Sequence, residues 1–269
     1  MSTMDDLSWR YISHLERSAK PKNTIKARRC VLEQISNAGT AEREEIERWY
    51  YAKSHLSVAT QANQISCLRS FYKWCAREGL RTDDPTFHVE APKVPNGLPR
   101  PIKESDLTKA LASVDPITRK CVLLGAHAGL RISESSRLKW SDLDDENMRI
   151  AIIDSKGGKS RFVAISQELI DLLGGQNGVY VVSGARSYSP QMLSRKVNRA
   201  LKKIGISSTS HTLRHYFGTR AYQATGDLLA VGLALGHTSP NATKIYAGAN
   251  DETARRIAQA VMQKKFNAK

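Results

Sequence analysis

The sequence predicts an α-rich α+β protein in two parts: a helical domain over residues 1–90, a proline-rich linker over 91–102, and a mainly helical domain over 103–269 with a small antiparallel β-sheet. Three observations predict it. Apolar residues recur at helical spacing along most of the chain. Only one pair of β-branched runs interrupts them, joined by a glycine-containing turn. Pro92, Pro95, Pro99 and Pro101 crowd with Gly97 into a stretch that neither continues a helix nor pairs well.

In the first part, Asp5 or Asp6 is suited to cap a helix with Leu7, Tyr11 and Leu15 on one face. Asn23 or Thr24 opens a second that runs to Gly39, read as the residue just past its end. An acidic third helix covers 41–53. The fourth has the clearest period, through Val58, Ile65, Leu68, Tyr72 and Cys75, between Ser57 and Gly79. Lys20, Lys22, Lys26, Arg28 and Arg29 gather at the start of the second helix, where they could line a phosphate backbone. An ordinary solvated face explains that cluster equally well.

In the second part, helices are expected over 105–114 and 117–127. Two apolar runs, 148–154 and 161–165, flank Ser155-Lys156-Gly157-Gly158-Lys159-Ser160 and read as a β-hairpin with a basic turn. Helices follow over 190–204, 212–224, 228–235 and 242–248. A last amphipathic helix starts near Glu252 and carries Ile257, Val261 and Phe266.

Charge narrows the function. The 269 residues hold 41 Lys and Arg against 26 Asp and Glu, a formal net charge of +15. Residues 1–90 contribute +2 and residues 91–269 contribute +13, so the second part carries most of the attraction for a polyanion. No apolar run approaches the roughly 18 residues of a membrane span. The N-terminus lacks a signal-peptide core, and Cys30, Cys67, Cys75 and Cys121 form no CxxC pair, which together point to a reducing cytoplasm.

Four clusters in the second part carry chemistry: Gly129-Leu130-Arg131-Ile132-Ser133-Glu134, the Lys156 turn, His211-Thr212-Leu213-Arg214-His215, and Leu235-Gly236-His237 ahead of Tyr246. Familiar alternatives fail on their own terms. Gly158-Lys159-Ser160 resembles the end of a phosphate-binding loop, but Ile153 stands where its first glycine belongs, and a strand follows. His211 and His215 have zinc-helix spacing, but Thr212 replaces the required Glu and cationic Arg214 lies between them. What remains is two arginines, a lysine, two histidines and a tyrosine. That set suits transfer of a phosphodiester to tyrosine. Guanidinium forks match the non-bridging oxygens of a pentavalent transition state. A lysine can protonate the leaving oxygen. Tyrosine, with an unperturbed pKa of about 10, needs cationic neighbours and a base.

The order and spelling of the clusters resemble the tyrosine recombinases, or phage integrase family. GLRISE resembles its first arginine box, HTLRH its HxxRH box, LGH followed by Tyr its last box, and the hairpin lysine the family's β2–β3 lysine. The likeness spans essentially the whole second part. The helical first part resembles the family's core-binding domain more loosely, in Thr24-Ile25-Lys26 and in the segment around Phe71.

The resemblance implies that Arg131 and Arg214 clamp the scissile phosphate and that Lys156 protonates the leaving 5′ oxygen. It makes His211 a base or hydrogen-bond partner, His237 a second donor to the phosphate, and Tyr246 the nucleophile that forms a 3′-phosphotyrosine. Glu134 is expected to orient the site and His215 to support it. Lys159 and Arg161, with Lys26, Arg28 and Arg29, are assigned to DNA phosphates. Ser155 and Ala164 depart from the family's usual hairpin and leave Lys159 open as an alternative acid. The implied assembly is a C-shaped clamp on double-stranded DNA and a tetramer on two duplexes, with no cofactor or metal. No arm-type DNA-binding module is expected before the first domain. The implied role is phage integration and excision; alternatives are a Xer-like resolvase of chromosome or plasmid dimers and a non-catalytic DNA-binding protein on the same fold.

Overall fold

The computed structural model describes residues 4–94, 101–153, 160–236 and 259. The chain divides into two compact units, Met1–Gly97 and Leu98–Lys269.

The first unit holds four helices: α1 (Asp6–Arg17), α2 (Lys22–Leu32), α3 (Arg43–Tyr51) and α4 (Val58–Arg77). The Asp5 carboxylate caps α1 by accepting from the Ser8 amide at 2.9 Å, and its other oxygen accepts from the Gly39 amide at 2.9 Å. This second bond corrects the sequence reading of Gly39. Helix α2 stops at Leu32, and turns carry Ile35 and Ala38 into the core. Gly39 is there because a Cβ would meet Asp5 Oδ1 at 2.8 Å, not because it ends a helix. Helix α2 also begins earlier than expected, after Pro21, whose fixed φ suits a helix start. Ser57 caps α4 through the Thr60 amide, and Gly79 at φ 67° follows its end. Ile65, Leu68, Phe71, Tyr72 and Cys75 form the buried stripe of α4, whereas Val58 is exposed. The Tyr72 hydroxyl donates to the Ala38 carbonyl at 2.8 Å.

The second unit is built on α6 (Pro116–His127), which is buried on nearly all sides from Cys121 onward. Around it lie α5 (Glu104–Ser113), α7 (Ile132–Ser135), α8 (Gln167–Leu173), α9 (Pro190–Lys203) and α10 (Ser210–Thr225), and α11 (Leu228–Leu235) packs on α10 and the sheet. A three-stranded antiparallel sheet in the order β1 (Leu143–Asp144), β2 (Arg149–Ile152), β3 (Arg161–Ala164) closes one side. The pair Ile150 and Val163 points into the core, while Phe162, opposite Ala151, faces solvent. Strand β1 and helix α8 were not expected; two strand residues and a seven-residue helix are too short to show a clear period in sequence. The expected helices over 242–248 and from Glu252 lie outside the described residues, apart from Gln259, which is helical and exposed.

Two glycines set how closely α10 approaches α6. A Cβ at Gly125 would come within 2.9 Å of the Leu213 Cβ, and one at Gly129 within 2.6 Å of the Phe217 ring. Gly129 also adopts φ 65°, a left-handed turn that costs glycine little. The turn carries the chain out of α6 and delivers Arg131 alongside α10. From the other side, the Tyr216 hydroxyl donates to Glu104 at 2.6 Å, and Arg220 pairs with the same carboxylate. These contacts tie α10 to α5.

Candidate active site

Arg131 is the residue before α7, and Glu134 lies in that helix's first turn. The Glu134 carboxylate accepts from the Arg131 amide at 2.7 Å and from its Nη1 at 3.0 Å. Backbone and guanidinium of Arg131 are thus held by one acid. Its Nη2 donates to the Gly236 carbonyl at 3.2 Å, and the side chain remains 42% exposed.

Arg214 comes from the second turn of α10 and is buried, at 4% exposure. Its Nη1 donates to the Gly129 carbonyl at 2.5 Å, its Nη2 donates to the Leu235 carbonyl, and Glu134 lies 3.8 Å away. Burial, then the charge of Arg131 and, against the pull of Glu134, that of Arg161, push its pKa down to about 10. It remains a cation at neutral pH. The carbonyl end of α11 supplies acceptors for both arginines. Gly236 ends that helix at φ 64°, leaving its last carbonyls free for such donors.

Glu134 accepts both terminal nitrogens of Arg161, at 2.8 and 2.9 Å. Burial would raise its pKa, but the hydrogen bonds and charge of Arg161, followed by the amide and charge of Arg131, outweigh burial. The carboxyl is held below its ordinary range. Three guanidinium groups around one carboxylate leave a local excess of positive charge suited to a phosphate.

His211 lies in the first turn of α10 and is exposed; His215 is half-buried one turn on. Their rings meet edge to face with centroids 4.4 Å apart. Burial, and then the charges of His211 and Arg214, lower the pKa of His215, so it is neutral near pH 7. A cavity of about 760 Å³ opens beside this face, lined by His211, Arg214, His215, Tyr222, Val231 and Leu235 among others.

The structure therefore brings together Arg131, Glu134, Arg214 and Arg161, with His211 and His215 on the same helix as Arg214. Lys156, Lys159, His237 and Tyr246 lie outside the described residues. Arg161, assigned to a DNA phosphate, has its terminal nitrogens on Glu134 and its Nε buried. In the first unit, Lys26 is exposed. Arg28 donates to the Cys67 carbonyl at 3.4 Å, and Arg29 pairs with Glu16 at 3.1 Å beneath the ring of Trp9. Sequence reasoning did not foresee the carbonyls of Gly129, Leu235 and Gly236. Backbone acceptors leave no trace in residue identity beyond the glycines themselves.

The phage integrase family model matches residues 102–253. Tyrosine recombinase XerA of Pyrococcus horikoshii is 28% identical over 97% of this chain and 94% of its own length. Tyrosine recombinase XerC of Chromobacterium violaceum is 31% identical over 90% of each chain. The lambda integrase tetramer bound to a Holliday junction shares the fold, with a TM-score of 0.71 at 19% identity over 87% of this chain and 76% of that one. Fold, arginine centre and relatives define an enzyme that cleaves and rejoins DNA strands by the tyrosine mechanism, a site-specific recombinase. The chain belongs to the phage integrase family.

Proposed function

We propose that Tyr246 attacks the scissile phosphate while Arg131 and Arg214 bind its non-bridging oxygens. The observation that supports this most directly is the convergence of those two guanidinium groups on Glu134 and on the carbonyl end of α11. The tyrosine oxygen forms a bond to phosphorus and the bond to the 5′ oxygen breaks. His211 takes the phenol proton or holds the attacking oxygen, Lys156 gives a proton to the leaving oxygen, and His237 donates to the phosphate. A 3′-phosphotyrosine and a free 5′ hydroxyl result, and attack by another 5′ hydroxyl reverses the step. Both bonds are phosphodiesters of similar energy, so no external energy source is required, and the cationic groups take the part a metal would otherwise play.

Both domains, 1–90 and 103–269, bind the DNA duplex, the second carrying the chemistry. Four protomers on two duplexes form the working assembly in the cytoplasm of the host cell. Two biological roles use this chemistry. The spelling of the hairpin and of the Tyr246 box favours phage integration and excision. The Xer names of relatives that cover most of the chain favour a Xer-like dimer resolvase. Persistence of chromosome or plasmid dimers after deletion of the gene supports the second role, and loss of phage integration or excision supports the first.

Covalent trapping tests the chemistry. DNA flanking the gene is nicked to prevent religation and incubated with protein in EDTA, and detergent-resistant adducts are scored. An adduct with wild type and none with Tyr246→Phe is expected. Specific binding without an adduct would favour the non-catalytic DNA-binding protein.

A further inference from the structure

Glu134 has two oxygens and four donors around it. Two donors belong to Arg161 and engage both oxygens in a parallel fork. Arg131 reaches the carboxylate through one guanidinium nitrogen and its amide, and Arg214 stands off at 3.8 Å. A bidentate pair fixes orientation as well as position, which a single contact does not. The Arg131 donors also land on different oxygens, but one of them is its backbone amide. The side chain of Arg131 thus has a single contact to the carboxylate while that of Arg161 has two, and strand β3 shares in fixing the carboxylate that holds the Arg131 guanidinium. A second contact is independent of the first. A Cβ at Gly236 would lie 2.7 to 2.9 Å from Cδ, Nε and Cζ of Arg161, so the side chain is packed directly against the turn whose carbonyls receive Arg131 and Arg214.

We propose that Arg161 is a positioning residue for strand cleavage: through Glu134 and the end of α11 it holds Arg131 and Arg214 in the geometry that receives the scissile phosphate. This rests on the reading of Arg131 and Arg214 as the phosphate ligands. Lysine cannot replace Arg161 fully, because an ammonium is a point donor and cannot engage both oxygens in one plane.

The test uses the full chain and the nicked DNA fragment that the wild type traps. The fragment is made with either an ordinary scissile phosphate or a methylphosphonate, which lacks one charged oxygen. Arg161→Met is expected to bind DNA as wild type does and to cleave the ordinary fragment about 100-fold more slowly, the scale of a small misplacement of catalytic groups. Arg161→Lys is expected to fall between the two, and it carries the test if Arg161→Met fails to bind. The penalty should shrink on the methylphosphonate, where less charge develops for the arginines to meet. Glu134→Gln combined with Arg161→Met should cleave no more slowly than the slower single variant.

Wild-type cleavage by Arg161→Met, or an equal penalty on both fragments, would overturn the proposal. Arg131→Ala separates its failure from that of the underlying reading. Should Arg131→Ala itself cleave normally, the phosphate-ligand reading fails and the proposal with it. Should Arg131→Ala be slow while Arg161→Met is not, only the proposal fails.

Discussion

Arg161 and Glu134 form a two-point ion pair, 2.8 and 2.9 Å, between the first residue of β3 and the helix that follows Arg131. The acid is 9% exposed and the base 17%, so the pair is largely shielded from water.

Removing the acid from this cluster leaves three guanidinium groups without their counter-charge. Breaking a buried pair by losing one partner costs about 3–5 kcal/mol. Glu134→Ala should therefore be destabilised by about 3 kcal/mol in urea unfolding of the second domain. A loss below about 1 kcal/mol would mean that solvent compensates these charges.

The same carboxylate gives stability a defined dependence on acid. Its pKa in the folded protein lies below the ordinary value of 4.5, so the unfolded chain takes up the proton first. The stabilisation is fully present above about pH 5 and declines as pH falls through 4.5 and then through the folded value. Glu134→Gln should lack this portion of the acid slope. Unfolding midpoints between pH 6 and pH 3, compared with wild type, measure it; parallel curves would contradict the assignment.

Gly129→Ala should both destabilise the protein and slow cleavage. Its φ is 65°, and the added methyl would lie 2.6 Å from the Phe217 ring, a combination worth about 1–3 kcal/mol. Because the Gly129 carbonyl also holds Arg214, cleavage should remain slow at temperatures where the variant is folded. Gly175→Ala, with nothing within 4 Å of the new methyl, is the neutral control. Thermal melts and single-turnover cleavage on the same preparations decide it.

DNA affinity should fall steeply with salt. A protein with several phosphate contacts loses about 10³–10⁵ in affinity between roughly 50 and 200 mM salt. Lys26→Ala should reduce the slope of log affinity against log salt by about one contact. Arg29→Ala should reduce it less, because Glu16 already holds that guanidinium. Equal effects would show that Arg29 exchanges Glu16 for phosphate on binding.

Much of the fold could be read from periodicity. The buried stripe of α4 and the ends of α6 and α11 follow from apolar spacing, caps and glycines. The reading failed where tertiary contact decides. Helix α2 stops at Leu32 because the next residues bury Ile35 and Ala38 in turns, and Gly39 answers to Asp5 rather than to its own helix. The Glu134 contact of Arg161 was not legible either, because an arginine beside a basic turn looks the same in sequence whether or not it meets a buried acid.

The sequence by itself determined the excess charge and its location along the chain, and which candidate reactive groups the chain holds and in what order. These depend on residue type and local spacing, which the chain carries directly. Only the tertiary structure decided which groups share an environment: that Arg131, Arg161 and Arg214 meet at Glu134, and that carbonyls at two chain turns receive the arginines. Distances between residues far apart in sequence are set by how closely α10 can approach α6. Gly125 and Gly129 permit that approach, and no local pattern encodes it.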